Sequence, residues 1–262
     1  NDFSFLGADQ LINLAAKWKY MYGGNAGTVP LVVRMIVGKG WGQGATHAQS
    51  LHAMYSQFPG LQVAVPATPA AAYTAISEAL ELRGPSVIIE HRALYETKGL
   101  VPDDPDDIGE DDVQNLRCHP DSRIAIVAVS EAVNEALSAA DILENFGVRA
   151  TVSSPLWIDQ SSIRSLVLGT SGKLLVVDTG HEAAGMAGEI IAAIAESNFG
   201  WFKAPPRRLT LPACPTPVSK TLEDAFYPRA STIVAAVLDM LGMEAPPDLA
   251  LEDRPDSFKG PY

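Results

Sequence analysis

Twice along this sequence, short runs dense in Val, Ile and Leu alternate with longer stretches of helical periodicity, and no other feature narrows the fold as far. Strands that are apolar on both faces and joined by helices build a parallel sheet covered on both sides. In the first stretch the strand candidates are Val29 to Val37, Leu61 to Val65 and Ser86 to His91, each bounded by Gly or Pro. Leu6, Leu11, Leu14 and Trp18 recur ahead of them at helical spacing, and an Ala-rich run from Pro69 to Leu82 stops at Gly84 and Pro85. The second stretch offers strands at Ile124 to Val129, Val148 to Val152, Leu174 to Val177 and Arg208 to Leu211, with helices opening at Glu131, Ser161, Gly185 and Ala230. The expected fold is α/β: two open, mostly parallel, three-layer domains over 1–100 and 121–262, joined by a linker over 101–120. That linker carries Asp103, Asp104, Pro105, Asp106 and Asp107, shows no apolar periodicity, and reads as a solvated acidic loop.

At 262 residues the chain exceeds the common domain size, which agrees with two domains. Its 47% hydrophobic and 19% charged residues suffice for cores and argue against disorder. A net charge of -12, without a local Lys/Arg cluster, repels a phosphate backbone, so nucleic acid is not an expected partner. No apolar run reaches the roughly 18 residues that span a bilayer, and the start has no signal-peptide pattern, so no membrane partner is expected either. Cys118 and Cys214 stand far apart without metal-ligand spacing, which excludes a disulfide framework and fits a reducing bacterial cytoplasm or an organelle matrix. The chain begins without Met, as a processed protein or a piece of a longer polypeptide would.

Gly40, Gly42 and Ala45 satisfy G-x-G-x-x-A after a strand candidate, the pattern of a dinucleotide-binding turn. That fingerprint also needs an acid at the end of the next strand, which here ends Val65, Pro66, Ala67. The better reading is a loop, made mobile by Gly38, Gly40, Gly42 and Gly44, that delivers Thr46 and His47 to the carboxyl end of the sheet.

Five segments in order carry a resemblance that covers nearly the whole chain. They are Val29 to Arg34; Thr46-His47-Ala48-Gln49-Ser50; Pro59 to Pro66; Gly84 to Glu90 with Leu94 and Tyr95; and Thr216-Pro217-Val218 with Leu222 to Phe226. Together they resemble the beta subunit of thiamine diphosphate-dependent 2-oxo acid dehydrogenases, of the pyruvate, branched-chain or acetoin type. Transketolases and deoxyxylulose phosphate synthases share the same two-domain plan. The resemblance implies that 1–100 is the C-terminal portion of a pyrimidine-binding domain and that 121–262 is a transketolase C-terminal-like domain. It also implies thiamine diphosphate with Mg, and a potassium ion held by backbone carbonyls near Leu31, Ala79, Leu80, Leu82 and Gly84. No side chain marks the potassium site, so the sequence leaves it unassigned.

In that family the diphosphate and Mg sit on a Gly-Asp-Gly motif that this chain lacks, so the resemblance implies a partner: an alpha-type subunit or a fused diphosphate-binding domain. It further implies homodimerisation and delivery of the acyl group to a lipoyl-bearing acyltransferase. The family's catalytic Glu lies upstream of the first matched segment, and the chain alone is therefore expected to be inactive.

Phe3 matches the aromatic that packs on the cofactor's pyrimidine ring, a contact suited to an aromatic face. His47 matches the active-site histidine, where an imidazole near neutral pKa assists proton transfer. The family more often reads His-Ser-Gln, so Ala48 departs from it. His52, His119 and His181 have only structural contexts, while His91, at the end of a strand, could line the substrate side of the cleft. The second domain, without clustered titratable residues, is expected to be structural, and Gly185 to Glu189 to open a helix at a subunit interface. The leading expectation is oxidative decarboxylation of a 2-oxo acid. Ketol transfer needs basic groups for a sugar phosphate, and Arg34, Lys39 and Arg92 are the only ones near the predicted cleft. A non-catalytic module that pairs with a partner is the third alternative.

Overall fold

The computed structural model describes residues 2–40, 42–101, 108–109 and 113–249. The acidic run Asp103 to Asp107, and Trp41 of the Gly-rich loop, lie outside the described residues. Two parallel sheets form. The first orders its strands β1-β3-β2, with β1 at Val32–Val37, β2 at Gln62–Ala64 and β3 at Ser86–His91. The second orders them β5-β4-β6-β7, with β4 at Ile124–Ala128, β5 at Ala150–Ser153, β6 at Leu174–His181 and β7 at Arg207–Leu211. The central strands β3 and β4 are buried at every residue, as strands covered on both faces must be.

The helices are α1 Trp18–Met21, α2 Gly44–His47, α3 His52–Ser56, α4 Pro69–Glu81, α5 Ala132–Glu144, α6 Gln160–Ser165, α7 Met186–Asn198, α8 Lys220–Phe226 and α9 Ala230–Met240. Local chemistry sets their starts. Thr68 accepts the Ala71 amide at 3.0 Å with Pro69 in the first turn of α4, and the Asp159 carboxylate accepts the Ser161 and Ser162 amides at the head of α6.

The opening segment departs from the expected helix. It is a 3-10 turn at Asp2–Phe5, a π-helix at Asp9–Ala15, and then α1. The Ala16 amide reaches back five residues to the Leu11 carbonyl. The wider turn rotates the buried face onto Leu11, Ile12, Ala15 and Ala16, and leaves Leu6 at 82% exposure with Leu14 also exposed.

The sheets are joined along β2. Ala64 bridges Trp157 in antiparallel fashion, the Val65 amide donates to the Leu156 carbonyl, and the Ile158 amide donates to the Val63 carbonyl, both at 2.8 Å. Beside this bridge one apolar cluster runs through both layers, from Val63, Val87 and Ile89 to Val127, Leu174, Met186 and Ile190. Met186 and Ala187, at the head of the helix expected at a subunit interface, are spent in that core. The segment read as a solvated linker is also more ordered than expected at its end. Arg117 and Val152 exchange both backbone hydrogen bonds, Ser154 donates to the Gln114 carbonyl, and Val113 and Asn115 are buried.

The second half is not free of clustered titratable groups, contrary to expectation. Lys39, read as a basic group near the cleft, is buried at the seam instead, with Nζ 3.1 Å from Glu131, 4.0 Å from Glu135 and 5.4 Å from the Tyr227 ring centroid. Glu135 accepts the Ala230 amide at 2.8 Å and lies 3.7 Å from Arg229. Apart from Glu131, four residues away, its neighbours Lys39 and Arg229 are far off in sequence, so local spacing does not reveal the cluster.

Burial, and then the nearby Glu131, push the Glu135 carboxyl up to about 7 against the pull of Arg229, Lys39 and the Ala230 amide. A carboxyl raised on folding binds its proton more tightly in the folded state. Its favourable share is therefore complete below the unfolded value of 4.5 and lost as pH rises through about 7. Between pH 4.5 and pH 8 that loss comes to about 3 kcal/mol. Urea unfolding at pH 5.5 and pH 8 should give Glu135→Gln a weaker fall in stability with rising pH than wild type; parallel profiles would refute the assignment.

Candidate functional site

The site runs along the edge strand β1 to the loop that leaves its carboxyl end, the end at which open parallel sheets bind ligands. After Val37 the chain passes through Gly38, Gly40, Gly42 and Gly44, with φ of 96°, 107°, 60° and 60°. These conformations disfavour side chains, and two of the positions also leave no room for one. A Cβ on Gly38 would stand 2.1 Å from His91 Nε2, and one on Gly44 2.5 Å from Val218 Cγ2. The expected mobile loop is instead a gripped one, since its glycines serve close approach. Both Glu223 carboxylate oxygens accept the Gly40 amide, at 3.3 and 3.2 Å.

The loop ends in the single turn α2, whose last residue is His47. The His47 ring faces that of Phe3, with centroids 6.3 Å apart and planes tilted by 45°. Phe3 is set by its neighbour: the buried Tyr55 hydroxyl, on α3, donates to Ser4 Oγ at 2.6 Å. One chain segment, residues 44–56, thus carries His47 and holds the turn that carries Phe3. Both residues line an open cavity of about 520 Å³ with Ser4, Val33, Arg34, Met35, Ile36, Gln43 and Arg92. Phe3 is 73% exposed and Ile36 is exposed as well, so the cavity is walled on one side only.

The cationic groups divide. Arg34 is committed to Glu90 through a two-pronged contact at 3.0 and 2.8 Å, and its guanidinium is held above its usual range by that carboxylate. Arg92 donates to Gln43 Oε1 at 2.6 Å, and burial lowers its pKa. Burial, followed by Glu90, raises the Tyr95 phenol nearby.

His91 does not line the cleft. It is fully buried, accepts the Ala93 amide at Nδ1, and meets Tyr227 edge-on at 5.9 Å. His52 is buried too and donates from Nε2 to Asp178 at 2.9 Å, since a carboxylate only accepts. His181 donates to the Pro212 carbonyl at 2.9 Å, and His119 lies 3.8 Å from Glu144. Ser4, Gln43 and Tyr55 were not singled out by the sequence. Gln43 had a weak signal, its place within the Gly-rich loop; Ser4 and Tyr55 had none. A larger groove of about 690 Å³ between α3 and α7 holds neither Phe3 nor His47. Among the described residues no group of three His, Cys, Asp or Glu side chains could hold a metal ion, and no helix is long and apolar enough to cross a membrane.

Comparison with known proteins adds two family matches: the transketolase pyrimidine binding domain over residues 1–98 and the transketolase C-terminal domain over residues 114–233. The beta subunit of the acetoin:2,6-dichlorophenolindophenol oxidoreductase of Bacillus subtilis is 34% identical over 250 residues, covering 94% of this chain and 71% of that protein. The mitochondrial pyruvate dehydrogenase E1 component subunit beta of Caenorhabditis elegans is 36% identical over 252 residues, covering 92% and 70%. Among solved structures, a split gene transketolase in an inactive beta4 tetramer superposes with a TM-score of 0.67 at 20% identity, covering 93% of this chain and 74% of that one, a likeness of fold.

Because Gly38 combines a left-handed φ with contact to a buried ring, Gly38→Ala should cost at least about 2 kcal/mol of stability. The same substitution at Gly24, with φ of 81° and nothing within 4 Å, should cost about 1 kcal/mol. Equal shifts of the two urea midpoints would show that the contact with His91 does not constrain the loop.

Proposed function

The chain belongs to the transketolase-like family of dehydrogenase beta subunits, and on that premise we propose that it is the beta-type component of a thiamine diphosphate-dependent 2-oxo acid dehydrogenase. The observation that carries the proposal is the meeting of Phe3 and His47 in one half-open pocket. An aromatic face and the apolar wall of Val33, Met35 and Ile36 fit the pyrimidine end of the cofactor. The diphosphate end is not matched. Arg34 is tied to Glu90, and no metal-holding cluster occurs among the described residues. Magnesium and the diphosphate then belong to an alpha-type subunit or a fused diphosphate-binding domain, which would close the side of the pocket where Phe3 and Ile36 are exposed.

Bound thiamine diphosphate supplies the electron sink that lets the bond beside the oxo group of a 2-oxo acid break. Phe3 orients the ring by its face. His47, the one histidine that lines the pocket among the described residues, holds and moves protons at the reacting end as carbon dioxide leaves. The acyl fragment then passes to a lipoyl-bearing acyltransferase, whose disulfide takes up the two electrons. No carboxylate lines the pocket among the described residues, so the acid needed at the pyrimidine ring comes from outside them, and the described half-site does not turn over substrate unaided. Homodimerisation, and a potassium ion on the carbonyls near Leu31, Ala79, Leu80, Leu82 and Gly84, are parts of the same proposal.

Ketol transfer is less well supported. With Lys39 at the buried seam and Arg34 paired, Arg92 is the basic group left to a sugar phosphate at the pocket, and it already donates to Gln43.

The test uses the natural full-length assembly with thiamine diphosphate, magnesium and 2,6-dichlorophenolindophenol as electron acceptor. Pyruvate, branched-chain 2-oxo acids, 2-oxoglutarate and acetoin are offered in turn. Dye reduction with a 2-oxo acid is expected to fall about 100-fold in His47→Ala. Phe3→Ala should weaken cofactor binding about threefold to tenfold. Reduction with acetoin alone would move the substrate class to acetoin, and no reduction with any compound would leave ketol transfer or a non-catalytic module.

A further inference from the structure

His47 sits at the end of one helical turn, and a turn of four residues does not hold itself in place. Its supports come from far along the chain. On the side before the turn, the buried Glu223 carboxylate takes the Gly40 amide with both oxygens. On the side after it, Ser50 donates to the Thr179 hydroxyl at 3.4 Å, and His52 donates to Asp178 at 2.9 Å. Asp178 is fixed in turn by the Gly180 amide at 2.9 Å, and both it and His52 are fully buried. Asp178, Thr179 and Glu223 all lie in the second half of the chain, and none lines the Phe3–His47 pocket.

We infer that Asp178, acting through His52, and Glu223, acting through the Gly40 amide, are positioning residues that hold the His47 turn from both sides. Two anchors fix a short segment in place and direction, whereas one leaves it a hinge. Each anchor is a buried carboxylate with a specific donor, so a slip of the segment would take that donor from a group out of reach of bulk water. The inference rests on the proposed role of His47 in the reaction and adds to it the groups that keep His47 in register with Phe3.

The test compares Asp178→Asn and Glu223→Gln, each alone and each combined with His47→Ala, in the full-length assembly. Each single variant should lower kcat about tenfold, with KM for the substrate changed less than about twofold. In the His47→Ala background neither should lower kcat further, while losses in thermal midpoint stay additive, because the stability cost does not depend on His47. Amide hydrogen exchange over residues 44–52 should quicken about tenfold in both variants and stay unchanged in His47→Ala. Equal kcat losses in both backgrounds, or exchange at 44–52 that does not respond, would overturn the inference. Should Asp178→Asn fail to accumulate as folded protein, Ser50→Ala, which removes a part-buried hydroxyl contact to the same strand end, carries the exchange measurement instead. A His47→Ala variant with undiminished kcat would remove the proposed role of His47, and the exchange rates would then decide by themselves whether the carboxylates hold the turn.

Discussion

Everything that places the pocket depends on the seam between the two sheets. Its backbone part, Val63 to Val65 against Leu156 to Ile158, extends the hydrogen bonding of the first sheet into a segment of the second layer. Its polar part puts Lys39, Gly40 and His52 opposite Glu131, Glu223 and Asp178. Apolar side chains alone would bury as much surface and bind at least as well, since removing ions from water costs several kcal/mol apiece. What they would not do is choose one alignment. An apolar face tolerates a shift of a few ångströms, whereas a buried carboxylate that loses its donor does not. A seam of paired charges therefore fits a surface whose task is to hold a loop in one position.

The same seam explains why the second half of the chain bears on a pocket that it does not line. The Gly-rich loop leaves the first sheet from β1, yet Val218 closes on Gly44 and Glu223 grips Gly40. Asp178, within the second half of β6, is drawn below its usual range despite its burial, through His52 and the Gly180 and Ala187 amides. Ionised and buried, it needs those donors to stay where they are, and one of them lies five residues beyond His47. Stability in the second layer is thereby converted into precision in the first.

The architecture was legible in the sequence because it rests on local signals. Ser86 to His91 and the start of α9 at Ala230 were placed to the residue, and the Ala-rich run from Pro69 announced α4. The misplaced parts are those in which local pattern and tertiary contact disagree. Leu6 and Leu14 match a 3.6-residue period, but a π-helix moved the buried stripe to Ile12 and Ala15. The glycines from Gly38 to Gly44 suggest slack in a sequence, because freedom of φ is all that a sequence can display; that Gly38 is crowded by His91 and Gly44 by Val218 emerges only when the chain is folded. Lys39 and His91 sit beside the cleft in sequence and turn away from it in space. Phe3 and His47 were singled out through the resemblance that five dispersed motifs carry, and the fold brings their rings together, whereas Asp178 and Glu223 lie 126 and 183 positions from the groups they hold, and no spacing rule spans that distance.

The exposure of Phe3 is the remaining physical clue. A phenyl ring left 73% in water forgoes about 2 kcal/mol of the transfer energy that full burial would provide. It is held outward instead by the Tyr55 to Ser4 hydrogen bond, alongside the exposed Ile36 and opposite an imidazole that is itself anchored through its own segment. A lone exposed aromatic needs no explanation, but one held beside an imidazole at the mouth of a cavity shows position taking precedence over burial. The chain thus gives up burial of the Phe3 ring for a fixed position opposite His47.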